Sequence, residues 1–173
     1  MLNEANWKIR FATSKDLPSI VKIYNQAIKT NTATGDTQEF KAEDREDWFR
    51  KFNKDTFPIY VVETENKVVG YCALSPYRSG RKAMHTVAEI SYYIDYSFHG
   101  KGIGTAVLKH AIEDCKRIGI ESLLAILLDV NTQSVEILKK FKFVKWGHFP
   151  DIINLEGKSC GQLIYGLKLN TET

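Results

Sequence analysis

Cysteine is scarce in this chain: Cys72, Cys115 and Cys160 are far apart, and no Cys-x-x-Cys pair occurs. An odd, scattered set argues against a disulfide framework and against a structural zinc site. Cys72 and Cys115 fall on apolar-pattern positions and read as core thiols. The four histidines, His85, His99, His110 and His148, show no metal-ligand spacing, so no metal is expected. No basic run or aromatic–basic interleaving occurs, and the net charge is only +3, which makes no case for a nucleic-acid partner. The first residues lack a signal-peptide apolar core, and no apolar stretch reaches membrane-spanning length. The expectation is a cytoplasmic protein with no membrane partner. No internal repeat, low-complexity tract or linker breaks the chain, and 173 residues suffice for one domain, 1–173, with a substantial core.

What is present is an ordered alternation of strand and helix patterns. Residues 7–11 alternate apolar and basic, as a half-buried strand does. Asp16-Leu17-Pro18 starts a helix, with the acid as cap and proline in the first turn. Its apolar stripe is Leu17, Ile20, Val21, Tyr24, Ala27 and Ile28. Residues 30–37 are a polar, Thr-rich loop, and a second helix is expected over 42–52. Residues 59–63 and 68–74 flank a polar turn, 64–67, and form a hairpin. A basic excursion over 79–85 leads to a strand at 86–95. A helix at 103–118 follows, with Ile103, Val107, Ala111, Cys115 and Ile118 on one face. Residues 123–128 contain no polar member, which suits a strand buried on both faces. A short helix from 129 to 141 precedes two strands, 143–149 and 162–169, joined by a turn region containing Pro150, Gly157 and Gly161. This order implies an α/β (α+β) fold: a mixed sheet of about seven strands with helices on both faces.

The most informative stretch is His99-Gly100-Lys101-Gly102-Ile103-Gly104, between a strand and a helix. Glycine lets backbone approach a ligand closely, and a helix start offers unpaired N–H groups and a positive dipole end, which together hold a phosphate. A nucleoside-triphosphate loop needs Ser or Thr after a Gly-Lys pair, and none follows here. A dinucleotide fingerprint needs G-x-G-x-x-G, and these glycines are spaced by two throughout. A turn that merely lets a helix begin is the plain alternative. The third ligand is the pyrophosphate of coenzyme A. The loop resembles the Q/R-x-x-G-x-G/A pattern of the GNAT superfamily of N-acetyltransferases at every position except the first, where His99 stands.

The resemblance covers nearly the whole chain. Ile23-Tyr24-Asn25, Thr32-Ala33-Thr34, Leu74-Ser75-Pro76-Tyr77-Arg78, Thr86-Val87-Ala88-Glu89-Ile90-Ser91 and Asn131 with Ser134-Val135 resemble the phosphinothricin N-acetyltransferase branch. It implies direct acetyl transfer from acetyl-CoA to the amine of a small amino-acid-like acceptor, of the phosphinothricin, methionine sulfone or methionine sulfoximine type. It also implies a homodimer. Glu89 matches the general-base position. The cofactor residues implied are Tyr92, Tyr93, Ile94, His99, Gly100, Lys101, Gly102, Ile103, Gly104, Asn131 and Ser134. A splayed strand would leave an N–H at Tyr92 or Tyr93 free to polarise the thioester. Arg78 would pair with an acceptor carboxylate, and Tyr77 and His85 would lie beside it.

Three positions depart from the branch. Relatives commonly carry His or Tyr where this chain has Leu138, so a proton donor for the leaving thiolate is missing there. Lys142 replaces a glycine before the next strand, and a late aromatic-Asp feature is absent around Cys160-Gly161. Two other readings follow from these: an acetyltransferase for polyamines or peptide N-termini, and an acyl-CoA-binding module without turnover.

Overall fold

The computed structural model describes residues 6–169. Seven strands form one sheet: β1 (Lys8–Phe11), β2 (Ile59–Thr64), β3 (Lys67–Pro76), β4 (Val87–Ile94), β5 (Ser122–Leu128), β6 (Val144–Leu155) and β7 (Lys158–Lys168). Their spatial order is β1-β2-β3-β4-β5-β7-β6. Every neighbouring pair is antiparallel except β4 and β5. A parallel pair needs a crossover, and helix α3 (Ile103–Ile118) supplies it. Helices α1 (Leu17–Thr30), α2 (Glu46–Phe49) and α4 (Thr132–Lys140) complete the elements.

Strand periodicity divides the core between two sheet faces. On one, Tyr60, Val62, Leu74, Ala88 and Ile90 pack under Ile103, Val107, Leu108, Ala111 and Cys115 of α3 and Leu138 of α4. On the other, Val61, Tyr71 and Ala73 meet Ile20 and Ile23 of α1, with Trp48 and Phe49 of α2 alongside. The mixed sheet with helices on both faces is the one the sequence pattern implies. Asp16 precedes α1, with Pro18 in the first turn as expected, but its carboxylate does not cap the helix N–H groups: it accepts from the Thr13 N–H (2.7 Å) and is gripped by both terminal nitrogens of Arg10 (2.7 and 2.9 Å).

Three local expectations change. The 64–67 turn is tighter than four residues, because Thr64 already pairs with Lys67 and only Glu65-Asn66 turn, both at positive φ (48° and 60°). That is the twist a two-residue hairpin requires. The helix expected over 42–52 is a single tight turn, Glu43–Arg45, running into the four residues of α2. Asn53 closes the segment, its side-chain carbonyl accepting from the N–H groups of Asp55 and Thr56. The turn region around Pro150 is largely strand: β6 runs through it to Leu155 and returns at Lys158. Proline is tolerated because β6 is the sheet edge and its register slips between Phe149 and Ile153.

Helices α3 and α4 end alike. In α3, Ile120 N–H bonds to Cys115 O and Gly119 N–H to Lys116 O, with Gly119 at φ 73°. In α4, Phe143 N–H bonds to Leu138 O and Lys142 N–H to Lys139 O, with Lys142 at φ 63°. Lys142 therefore occupies a left-handed position that glycine fills without steric cost.

Candidate active site

The site begins where the sheet comes apart. β4 and β5 pair only at Val87↔Ser122, Ala88↔Leu123 and Glu89↔Leu124. Beyond Glu89, β4 stays with β3 as far as Ile94, and β5 stays with β7 as far as Leu128. A wedge opens between them, holding a cavity of about 620 Å³.

Hydrogen-bond alternation tells which backbone groups face the wedge. Tyr77 N–H bonds to Val87 O and Asp95 N–H to Val69 O, so odd-numbered positions of β4 address β3. The Ile90 N–H closes the last pair of the seam, and past it the main-chain groups of Tyr92 and Ile94 point into the wedge. Of the two N–H groups expected there, Tyr92 faces the wedge and Tyr93 faces β3. Side chains take the opposite faces. Tyr92 and Ile94 pack toward α3 and α4, while Tyr93 joins the α1 face.

The glycine loop forms the outer end of the wedge. Gly100 and Gly102 adopt φ of 75° and 82°, and a Cβ at either would meet no protein atom within 4 Å. It would project into open space instead, and the backbone would be strained. The first bond inside α3 runs from Ala106 N–H to Gly102 O (3.0 Å), so the N–H groups of Ile103, Gly104 and Thr105 have no intrahelical partner. A Cβ on Gly104 would make only ordinary contacts, 3.7 Å from Ile94 and 3.8 Å from Ile137, so this position accommodates Gly or Ala. His99 lines the cavity, but its imidazole donates from Nε2 to Ile94 O (2.9 Å) and stacks on Tyr96. Lys101 does not line the cavity; its ammonium lies 4.6 Å over the Phe98 ring.

Asn131 and Ser134 line the opposite wall. The Asn131 side-chain oxygen caps α4 through Ser134 N–H (3.3 Å), leaving the amide nitrogen for a ligand. The Tyr92 hydroxyl is buried here with no hydrogen-bond partner among the described residues. Burial pushes its pKa up to about 12, with the nearby Ser134 hydroxyl acting weakly the other way. An orphaned buried phenol, a pair of left-handed glycines and three unpaired helix N–H groups fit a long polar ligand ending in phosphates, such as coenzyme A. Leu138, 1% exposed, presents only hydrocarbon to this space.

Glu89 lines a second cavity of about 330 Å³, which shares Ala33, Ser91, Tyr93, Ile126 and Leu127 with the first. Partial burial alone raises its pKa above the ordinary carboxylate value. Tyr24, Thr34, Arg45, Trp48, Tyr71 and Gln162 complete the surroundings. The Tyr24 hydroxyl is bonded to the Asp36 carboxylate and to the Thr34 hydroxyl (2.7 Å). Its ring meets Tyr93 edge-on at 5.0 Å. Tyr77, Arg78 and His85 lie on the β3–β4 connection and line neither cavity; Arg78 and His85 are exposed. The cation brought to Glu89's cavity is Arg45, which sequence reasoning missed. Its signal was the Arg45-x-x-Trp48 spacing, one helical turn, which puts guanidinium and indole on one face.

Among the described residues, no group of three or more His, Cys, Asp or Glu is placed to hold a metal. No helix among them is long and apolar enough to cross a membrane.

A parallel seam that splays at a glycine-rich helix start, with a carboxylate at the apex, defines an acyl-CoA-dependent acyltransferase. Residues 20–143 match the Acetyltransferase (GNAT) family, and the chain belongs to that family. It is an N-acetyltransferase, and acetyl-CoA is its acetyl donor. It is 36% identical to YwnH of Bacillus subtilis over 163 residues, covering 94% of this chain and 99% of that protein. It is 27% identical to the L-methionine sulfoximine/L-methionine sulfone acetyltransferase of Salmonella typhimurium, over 83% of this chain and 84% of that one. The fold superposes on a phosphinothricin acetyltransferase from Sinorhizobium meliloti, solved with acetyl-CoA, with a TM-score of 0.90 at 24% identity. That alignment covers 98% of this chain and 91% of the other.

Proposed function

We propose that the enzyme acetylates the α-amino group of a small amino-acid-like acceptor, of the phosphinothricin, methionine sulfone or methionine sulfoximine type. The observation that carries this reading is Glu89. It is a half-buried carboxylate with a raised pKa, in a small cavity that opens onto the wedge beside the free Tyr92 N–H. The named activity of the Salmonella relative supports the acceptor class.

Residues 100–105 hold the pyrophosphate of the donor through helix N–H groups and close-approaching glycine backbone. Asn131, Ser134 and the Tyr92 hydroxyl bond its polar arm. The Tyr92 N–H, aimed into the wedge, stabilises charge developing on the thioester oxygen. An amino-acid ammonium cannot attack until it loses a proton. Glu89 accepts that proton, directly or through one water, and burial brings its basicity closer to the amine's. The sulfur departs as thiolate without a proton donor at Leu138, which thiol acidity near pKa 8.5 permits.

The same reading includes a homodimer in the cytoplasm. Edge strand β6 exposes Val144, Trp146, Phe149 and Ile152, an apolar row suited to a second copy. Three free, buried cysteines suit a reducing compartment. Sedimentation equilibrium tests the assembly.

An amine panel with acetyl-CoA, following thiol release, tests the acceptor. Turnover with methionine sulfone or sulfoximine and not with polyamines or peptide N-termini is the expected result. Turnover only with the latter two overturns the amino-acid reading, and tight acetyl-CoA binding without turnover on any amine makes the chain a binding module.

A further inference from the structure

We infer that Arg45 selects the acceptor, by pairing with its α-carboxylate in the cavity that Glu89 lines; this rests on the amino-acid reading above. The guanidinium of Arg45 is held by three aromatic rings, 4.3 Å from the centre of Trp48, 4.9 Å from Phe40 and 5.3 Å from Tyr24. Two of those rings, Tyr24 and Trp48, are themselves cavity walls.

What the side chain leaves undone is as informative as what it touches. Arg45 sits in an acidic segment, with Glu43 and Asp44 before it and Glu46 and Asp47 after it. Yet among the described residues its guanidinium makes no ion pair and donates no hydrogen bond. Arg50, five positions on, pairs with Glu46 and Asp47; Arg10 and Arg117 are likewise paired with carboxylates. Arg45 instead turns toward the cavity, where stacking holds the planar fork and leaves its N–H edge for a partner.

The partner's chemistry follows from the cavity's charges. Arg45 and Glu89 both line it. The other acid nearby, Asp36, is engaged with the Tyr24 hydroxyl. One fixed cation and one carboxylate complement a zwitterion: an α-carboxylate bonded bidentately by Arg45, and an α-ammonium beside Glu89. A polyamine offers Arg45 nothing but repulsion. A cavity of about 330 Å³ lies at the small end of ligand sites, which suits an amino acid.

The test compares L-methionine sulfone with its α-carboxamide, which removes the acid and keeps the amine and side chain. The wild type should strongly prefer the acid. In Arg45→Gln, kcat/KM for the acid should fall by roughly 10- to 100-fold, the loss expected for a charge-assisted pair. Most of that should appear in the acceptor KM, with acid and amide then used about equally. The KM for acetyl-CoA and the acidic limb of the pH profile, set by Glu89, should not move. Arg45→Lys keeps the charge without the fork and should restore part of the preference. It also covers the case in which the glutamine variant folds poorly, since a lysine variant with full wild-type preference overturns the inference. So does an Arg45→Gln enzyme that still prefers the acid. A wild type using acid and amide equally overturns the inference and leaves the amino-acid reading standing. A wild type acetylating neither overturns that reading, and the inference with it.

Discussion

Glu89→Gln separates chemistry from folding at one position, because the carboxylate serves the first at the expense of the second. Its pKa is raised, and burial is the cause. The amide is nearly isosteric and neutral, so the cavity walls need not move. Removing a general base costs on the order of 10²–10⁴ in rate, or about 3–5 kcal/mol of transition-state stabilisation. Stability should shift the other way. A carboxyl whose folded pKa lies above its unfolded value binds more protons when folded, so its charge destabilises the fold at neutral pH. As pH falls through the folded pKa toward the unfolded value near 4.3, that penalty disappears. Thermal melts of the two proteins at a series of pH values should therefore show Glu89→Gln melting higher at pH 7 and converging with wild type below about pH 4. In the same buffers, wild-type kcat/KM should rise with pH through one limb set above the ordinary carboxylate range, and the variant should lose that limb. Wild-type activity in Glu89→Gln, or a variant that melts lower at pH 7, would refute the reasoning.

Gly102→Val should abolish or greatly weaken acetyl-CoA binding in calorimetry, since the branch would project into the open wedge from a residue at φ 82°. Leu138→Ala should destabilise by about 2–5 kcal/mol in denaturant titrations, as for other buried leucines, and leave the pH limbs of kcat in place. Lys142→Gly relieves a left-handed cost of about 1–2 kcal/mol against a glycine entropy penalty of about 0.5–1 kcal/mol. The net gain should be below about 1.5 kcal/mol, read as a melting rise of a few degrees.

Legibility followed the range of the interaction. The glycine loop and α3 were readable because phosphate cradles and helix faces are written in contiguous residues. Even so, Leu108 of α3 is buried beside the stripe that spacing alone marked. Glu65-Asn66 and Lys142 were harder, since they turn left-handed without glycine. Pro150 read as a break because nothing local says that its strand lies at the sheet edge. The acceptor cavity was least visible. Tyr24, Arg45, Glu89 and Gln162 come from four separate segments that only the closed sheet assembles. Arg78, expected beside the acceptor, lies exposed on the β3–β4 connection, and Arg45, placed among acids in the sequence, lines the cavity instead.

Three residue pairs are all that β4 and β5 share, so the strands on either side of the seam form two panels with an open joint. Amides at Tyr92 and Ile94 meet solvent until something occupies that joint. Whatever fills it ties the panels together and, by mass action, adds about 2.7 kcal/mol of stability at a hundred times its dissociation constant. Resistance to proteases should thus follow the level of the acetyl donor, so that a well-fed cell keeps more of the enzyme than a starved one making it at the same rate.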